Sequence, residues 1–313
     1  MDALLDVVVV GGGPAGLNAA LVSGRQRRRV LLLDSGRPRN APAQETHMLL
    51  SRDGFGPAAL REVARADLRV YPTVEVRSAE VVDARSVAEG FEVVLADGSR
   101  ERARKLILAT GQTDVLADVP GLAERFGRSV FHCPFCHGYE ARDRPLAVLG
   151  ADFPSVMLAL YVADRFCEDV TLCTNGEELP QEHRDRLEKA GVGLREEPVA
   201  EVRGELGSLE VVFTAGKPLA RGAMFHRTRI RQHADLAERL GCELLPDGCV
   251  RVNEFQQTSV PGVYAAGDMA RLAVLPDALT FVVMGAADGA RAAIWVDQEL
   301  FRADAGLTPP AQP

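Results

Sequence analysis

The residues best suited to chemistry in this 313-residue chain lie together in His132-Cys133-Pro134-Phe135-Cys136-His137-Gly138-Tyr139-Glu140. Two thiols separated by two residues can close a small disulfide reversibly, so Cys133 and Cys136 can store two electrons. A neighbouring imidazole, His137 above all, can lower a thiol pKa or relay its proton. Zinc is the structural alternative, with two thiolates and His132 or His137 beginning a site. Adjacent histidines do not easily complete a tetrahedron with the pair, and the cysteines at 167, 173, 242 and 249 form no second knuckle. Those four are expected to be small buried apolar residues, Cys173 most clearly because it falls in a strand.

A second signature stands near the start of the chain. Gly11, Gly13 and Gly16 fit the G-x-G-x-x-G spacing, and Gly13-Pro14-Ala15-Gly16 opens a helix. Gly11 suits a tight turn, Gly13 a close approach of backbone to pyrophosphate, and Gly16 a close helix–strand packing. Pro14 suits a first helical turn, whose free N–H groups and positive dipole end attract phosphate. Asp34 stands 18 residues beyond Gly16, placed to accept hydrogen bonds from an adenosine ribose. This motif alone does not separate NAD from FAD.

The elements that must position these groups are legible as an alternation. Asp6-Val7-Val8-Val9-Val10 and Val30-Leu31-Leu32-Leu33 read as strands buried on both faces, with a helix over Leu17–Val22 between them. Short strands fill residues 74–110, turning at Asp97-Gly98. A second βαβ pattern follows the cysteines: Leu146–Leu149, a helix near Pro154–Ala163, and Val170–Cys173. A final helix is expected from about Phe281 to Leu300, then a frayed Pro309–Pro313 tail. A chain of this length is expected to hold two domains, and 47% apolar with 26% charged residues is ordinary globular composition. The net charge of −8 disfavours nucleic acid or an anionic membrane as the main partner. The uncharged run Val7–Gly24 is broken by glycines and Pro14, so it is not a membrane span, and no basic leader precedes it. A cytoplasmic location is the default expectation.

Two later motifs decide the cofactor. Ala109-Thr110-Gly111 at a strand end, and Gly262-Val263-Tyr264-Ala265-Ala266-Gly267-Asp268 near the C-terminus, resemble the paired motifs of flavoproteins with two dinucleotide-binding domains. With the cysteine pair ahead of the second βαβ, nearly the whole chain resembles the low-molecular-weight thioredoxin reductases. The resemblance implies an α/β fold of two Rossmann-like three-layer domains, the FAD domain discontinuous (1–115 and 247–313), with a redox domain at 116–246 carrying the pair. It implies FAD as cofactor, Asp268 on the ribityl chain, Cys136 facing the flavin, Cys133 exchanging with substrate, and a homodimer. Cys-Pro-aromatic-Cys-His-Gly, with His137 where those reductases carry an acid, looks closer to the branch containing gliotoxin-type dithiol oxidases.

The second nucleotide loop departs from the family. Gly150-Ala151-Asp152-Phe153-Pro154-Ser155 puts Asp152 in place of the glycine that meets the pyrophosphate, and no arginine follows the next strand before Arg184. A carboxylate there adds bulk and like-charge repulsion, so NADPH binding is doubtful. Thr280-Phe281 also replaces the usual Arg-Gln ahead of the last helix. The reading is an FAD-dependent dithiol–disulfide oxidoreductase acting on a small dithiol or disulfide or a thioredoxin-like protein, passing electrons to O₂ or another acceptor. The alternatives are a thioredoxin reductase fed by NAD(P)H or a ferredoxin-like donor, and a non-catalytic flavin redox sensor. Arg25 and Arg27–Arg29 are expected to complement a helix C-terminus, and Arg227, Arg229 and Arg231 to line a solvated strand face. His47 with Ser51-Arg52-Asp53-Gly54 reads as flavin-cleft lining or a capped turn, and His183 and His233 have no visible partner.

Overall fold

The structure, a computed structural model, describes residues 4–307; the expected Pro309–Pro313 tail lies outside them. The chain begins β1 (Leu5–Val10), α1 (Pro14–Arg25), β2 (Val30–Asp34), α2 (Pro57–Leu68), β3 (Val74–Ser78), β4 (Val81–Val87), β5 (Gly90–Leu95), β6 (Arg100–Leu108) and β7 (Gln112–Val115). It continues α3 (Leu122–Arg125), β8 (Val130–Phe131), α4 (Pro134–Ala141), β9 (Leu146–Leu149), α5 (Phe153–Arg165), β10 (Val170–Cys173), α6 (Gln181–Lys189), β11 (Gly193–Arg195), β12 (Val199–Arg203), β13 (Leu209–Phe213), β14 (Leu219–Arg221) and β15 (Ala223–His226). It closes with β16 (Arg229–Gln232), α7 (Leu236–Arg239), β17 (Val250–Val252), β18 (Val263–Ala265), a 3₁₀ turn (Gly267–Met269), β19 (Ala270–Leu272) and α8 (Val282–Asp304).

These elements form two compact units. The first takes the chain to Ala41, Met48–Thr113, and the chain from Arg231 onward; the second takes Pro42–His47 and Asp114–Ile230. The return therefore comes at Arg231, ahead of residue 247. The cause is apolar burial: Leu236, Ala237 and Cys242 enter the core of the first unit, a signal diluted in sequence by the charged residues around them.

In the first unit the sheet runs β3-β2-β1-β6-β5-β4, with β18 also on β6. β1 is parallel to both β2 and β6. Alternate residues of each central strand enter opposite cores. Val7, Val9, Val30, Leu32 and Ile107 meet α1 and α8. Val8, Val10, Leu31, Leu33, Leu106 and Leu108 meet the β4–β5 hairpin and the returning chain. Burial on both faces is why these strands read as unbroken apolar runs. Nine residues long, β6 pairs antiparallel with β5 by its first half and parallel with β1 and β18 by its second. The second unit repeats the plan. Its sheet β11-β10-β9-β15-β8 is parallel throughout. One face lies on α5 and α6, the other on the antiparallel β12–β14 sheet. Among the described residues no helix is long and apolar enough to cross a membrane.

Candidate active site

The glycine loop of the first unit follows the tip of β1, beside the ends of β2 and β6. Gly11 has φ +112° and donates its N–H to Leu33 O at 2.7 Å. A Cβ on Gly11 would lie 2.2 Å from Ala109 O, and one on Gly16 would lie 1.8 Å from Gly11 O. These two glycines hold the turn against its neighbours. Gly13 is different: it is the N-cap of α1, carries no side-chain cap, and has nothing within 4 Å of the Cβ position. The first N–H groups of α1 thus face open space where a phosphate fits. Pro14 occupies the first turn and Ala15 is buried under α8. There a Cβ on Gly289 would come within 1.9 Å of Ala15 O, so small residues bring α8 onto α1.

Asp34 ends β2; a Cβ on Gly12 would lie 2.4 Å from its carboxylate. One carboxylate oxygen accepts from Gly36 N at 3.0 Å, and the other pairs with Arg65 of α2. Ala109 is tied to Val10 by a 2.8 Å backbone bond, and Thr110 Oγ1 donates to Met269 Sδ at 3.3 Å. Gly111 and Gly267 both hold φ near +70°, at +70° and +76°. Asp268 accepts from Arg39 Nη1 at 3.0 Å. Beneath it Asp288 of α8 takes a bond from the Gly267 N–H, and burial holds its carboxyl above the usual range. The adjacent α8 N-terminus carries no side-chain cap. A bare helix N-terminus, a carboxylate at the end of β2 and glycines at the close approaches fit an adenine dinucleotide. Arg39, Arg65 and Asp288 carry no motif and were not legible in sequence.

The cysteine pair belongs to the second unit and begins a helix. Cys133 is the N-cap of α4, its carbonyl accepting from Cys136 N and His137 N, each at 3.2 Å. Pro134 sets the first turn. Both thiols therefore lie at the positive end of a helix, which favours thiolate. A Cβ on Gly138 would lie 2.3 Å from the Phe166 ring, so this glycine seats α4. Cys133 and Cys136 are both half-buried.

His137 is half-buried and its ring stacks on Phe131 at 4.4 Å and 8°. Burial pushes its pKa down to about 4, with His47 and His132 adding to the shift. At neutral pH it is an uncharged imidazole, so of its two candidate roles it keeps proton acceptance. His47, read in sequence as cleft lining or part of a capped turn, joins it. The Pro42–His47 segment belongs to this unit, and the His47 ring stands edge-on to His137 at 5.9 Å. His47 Nε2 lies 3.4 Å from Glu45 and 3.6 Å from Glu140. Phe135 and Tyr139, 60% and 66% exposed, give the helix an aromatic outer face that continues into Tyr161, 5.6 Å from Phe135.

The second nucleotide loop is built unlike the first. Asp152 is the N-cap of α5, and its Oδ1 accepts from Ser155 N at 2.9 Å and Ser155 Oγ at 2.5 Å. The carboxylate covers the N–H group that a pyrophosphate would use. Phe153 packs 5.5 Å from His183, giving that histidine a neighbour the sequence did not show. Arg184 is engaged by Glu196 at 2.5 Å and by Leu179 O.

Cys173, Cys242 and Cys249 are buried, and burial raises all three thiols, Cys173 to about 12 and Cys249 to about 11. Cys167 is not: it is half-exposed, its Sγ accepting from Asp169 N at 3.3 Å in the turn after α5. Arg28 bonds to Asp297 at 2.6 Å, so it ties to α8 rather than to its own helix end. His233 Nδ1 lies 3.1 Å from Thr113 Oγ1. Arg227, Arg229 and Arg231 are exposed. Among the described residues no three His, Cys, Asp or Glu side chains are grouped to hold a metal.

Comparison with known proteins agrees with this geometry. The model of the family described as pyridine nucleotide-disulphide oxidoreductase matches residues 5–293. The chain is 35% identical to thioredoxin reductase tcpT of Claviceps purpurea, over 85% of this chain and 86% of that one. It is 33% identical to thioredoxin reductase sirT of Leptosphaeria maculans, over 85% and 87%. Among solved structures it is similar to HlmI (TM-score 0.90, 38% identity, 98% of this chain and 95% of that one). It is also similar to a thioredoxin reductase TrxB, so described, from Bacillus anthracis (TM-score 0.88, 30% identity, 96% and 99%).

Proposed function

Because this chain belongs to the pyridine nucleotide-disulphide oxidoreductase family, we propose that it is a dithiol oxidase, an FAD-dependent enzyme that takes electrons from a small dithiol rather than from NADPH. It is a thioredoxin reductase-like FAD oxidoreductase acting on disulfides. The observation that supports the finer reading is the Asp152 carboxylate bonded to Ser155 N across the α5 N-terminus. The matching position in the first unit, Gly13, carries no cap. One loop is open to a phosphate and the other holds its own anion.

Gly11, Gly13, Pro14, Ala15 and Gly16 would hold the FAD pyrophosphate, Asp34 the adenosine ribose, and Ala109, Thr110, Gly111, Gly267 and Asp268 the flavin half. When bound, FAD supplies a two-electron acceptor and an exit for electrons to O₂. The protein's own residues do the sulfur chemistry. A substrate thiolate attacks Cys133 of the Cys133–Cys136 disulfide, forming a mixed disulfide and releasing Cys136 as thiolate. The second substrate thiol, deprotonated by neutral His137, attacks the substrate sulfur of that mixed disulfide and frees Cys133. The substrate leaves as a disulfide, two electrons poorer, and the pair is left reduced. The exposed rings of Phe135 and Tyr139 suit an apolar substrate. The test is Cys136→Ser: flavin bleaching by a dithiol should vanish with FAD still bound, and unchanged bleaching would refute the assignment.

A further inference from the structure

We propose that Arg61 and Arg65 of α2 recognise the adenosine half of FAD, so that this helix selects an adenine dinucleotide over a shorter flavin. The proposal rests on the FAD-binding part of the reading above and not on its oxidase part. A cavity of about 260 Å³ opens beside the end of β2, lined by two carboxylates, Asp34 and Glu62, three arginines, Arg61, Arg65 and Arg69, and the small residues Gly36 and Ala58. Arg61 and Arg65 are spaced four apart on one face of α2, with Arg69 four further on at its C-cap, and these like charges repel. Such crowding is unfavourable for the helix alone. Arg65 is answered by Asp34, which it holds in place. Arg61 is not answered in the same way: its Nη1 is buried with no hydrogen-bond partner among the described residues. Burial pushes the Arg61 guanidinium down against the pull of Asp34, and Arg65 adds to the push. A buried donor left unpaired calls for an acceptor from outside the chain.

The chemistry of that acceptor follows from the cavity's two signs. Asp34, already bonded to Gly36 N and Arg65, has lone pairs left for further donors, and the Arg61 Nη1 needs an acceptor. A bare phosphate meets the Asp34 carboxylate in the same space and supplies no donor. A nucleoside supplies both: ribose hydroxyls donate to Asp34, and purine ring nitrogens accept from Arg61. The guanidinium plane can also lie on the purine face. Arg61 is therefore the contact and Arg65 the residue that positions Asp34.

Full-length protein freed of FAD should be titrated with FAD, FMN and ADP. Arg61→Ala should weaken FAD and ADP by about tenfold or more, leave FMN unchanged, and leave the melting temperature of the FAD-free protein unchanged. Arg65→Met should weaken the same two ligands, and Arg65→Lys, which keeps the ion pair, should restore most of the loss. Unchanged FAD and ADP affinity in Arg61→Ala overturns the proposal. So does equal weakening of FAD and FMN, or a fall in the melting temperature of the FAD-free variant, which would mark a structural arginine. If the unaltered chain binds ADP but neither flavin, the cofactor reading falls while the ADP series still decides the role of Arg61.

Discussion

Asp152 closes the N-terminus of α5 on its own chain, accepting the Ser155 N–H at 2.9 Å and the Ser155 hydroxyl at 2.5 Å. The second unit therefore keeps a nucleotide-binding architecture whose anion position is filled by a side chain. Opening it should be cheap, since replacing an Asp N-cap with Gly costs only a few tenths of a kcal/mol. Asp152→Gly removes a like charge worth about 1 kcal/mol or more against a pyrophosphate. NADH affinity should rise about tenfold, read by titration of the oxidised protein. No rise would mean that the cap is not what closes this loop.

His137 predicts a pH signature. Its pKa falls from 6.5 unfolded to about 4 folded, so between these values the unfolded chain binds the extra proton. Stability therefore rises with pH across that window, and about 3 kcal/mol is lost on acidification from 6.5 to 4. His226 and His233, both also lowered by burial, act in the same direction. His137→Phe keeps a ring against Phe131 and should flatten this dependence by the His137 share. Denaturant unfolding at pH 4.5 and 7 measures it. The same variant should slow dithiol-driven flavin bleaching by about 10²–10⁴ at neutral pH.

Two glycines three residues apart should fail differently. Gly13→Ala places its methyl in open space, so the fold should melt normally while FAD binding weakens. Gly16→Ala drives its methyl onto Gly11 O, so the melting temperature itself should fall. Thermal melts with and without added FAD separate the two. A lowered melt for the FAD-free Gly13→Ala protein would contradict the open loop.

Much of this is legible in the sequence, and the reasons are local. β1 and β2 announce themselves because burial on both faces leaves no polar residue in Val7–Val10 or Val30–Leu33. Gly11 and Gly16 announce themselves because no Cβ fits at either. Cys133 and Cys136 are visible by spacing. What escaped depends on distant chain or on mixed signs. α2 buries only Pro57 and Leu68, so it has almost no apolar stripe, and its arginines gain meaning only beside Asp34. His47 reaches His137 across ninety residues of chain, a pairing that no periodicity encodes. Set against the glycine it replaces, Asp152 reads as bulk and repulsion. Asp followed by Phe-Pro-Ser was also an N-cap signal, and the structure shows the two effects to be one.

Anaerobic rapid mixing of the FAD-loaded protein with NADPH, with NADH and with a small apolar dithiol bears most directly on the oxidase assignment. The dithiol should bleach the flavin within turnover time, and hydrogen peroxide should appear once air is admitted. Neither nicotinamide should bleach it on that scale. Rapid bleaching by NADPH or NADH, with the dithiol inert, would contradict the account and return the chain to the reductases.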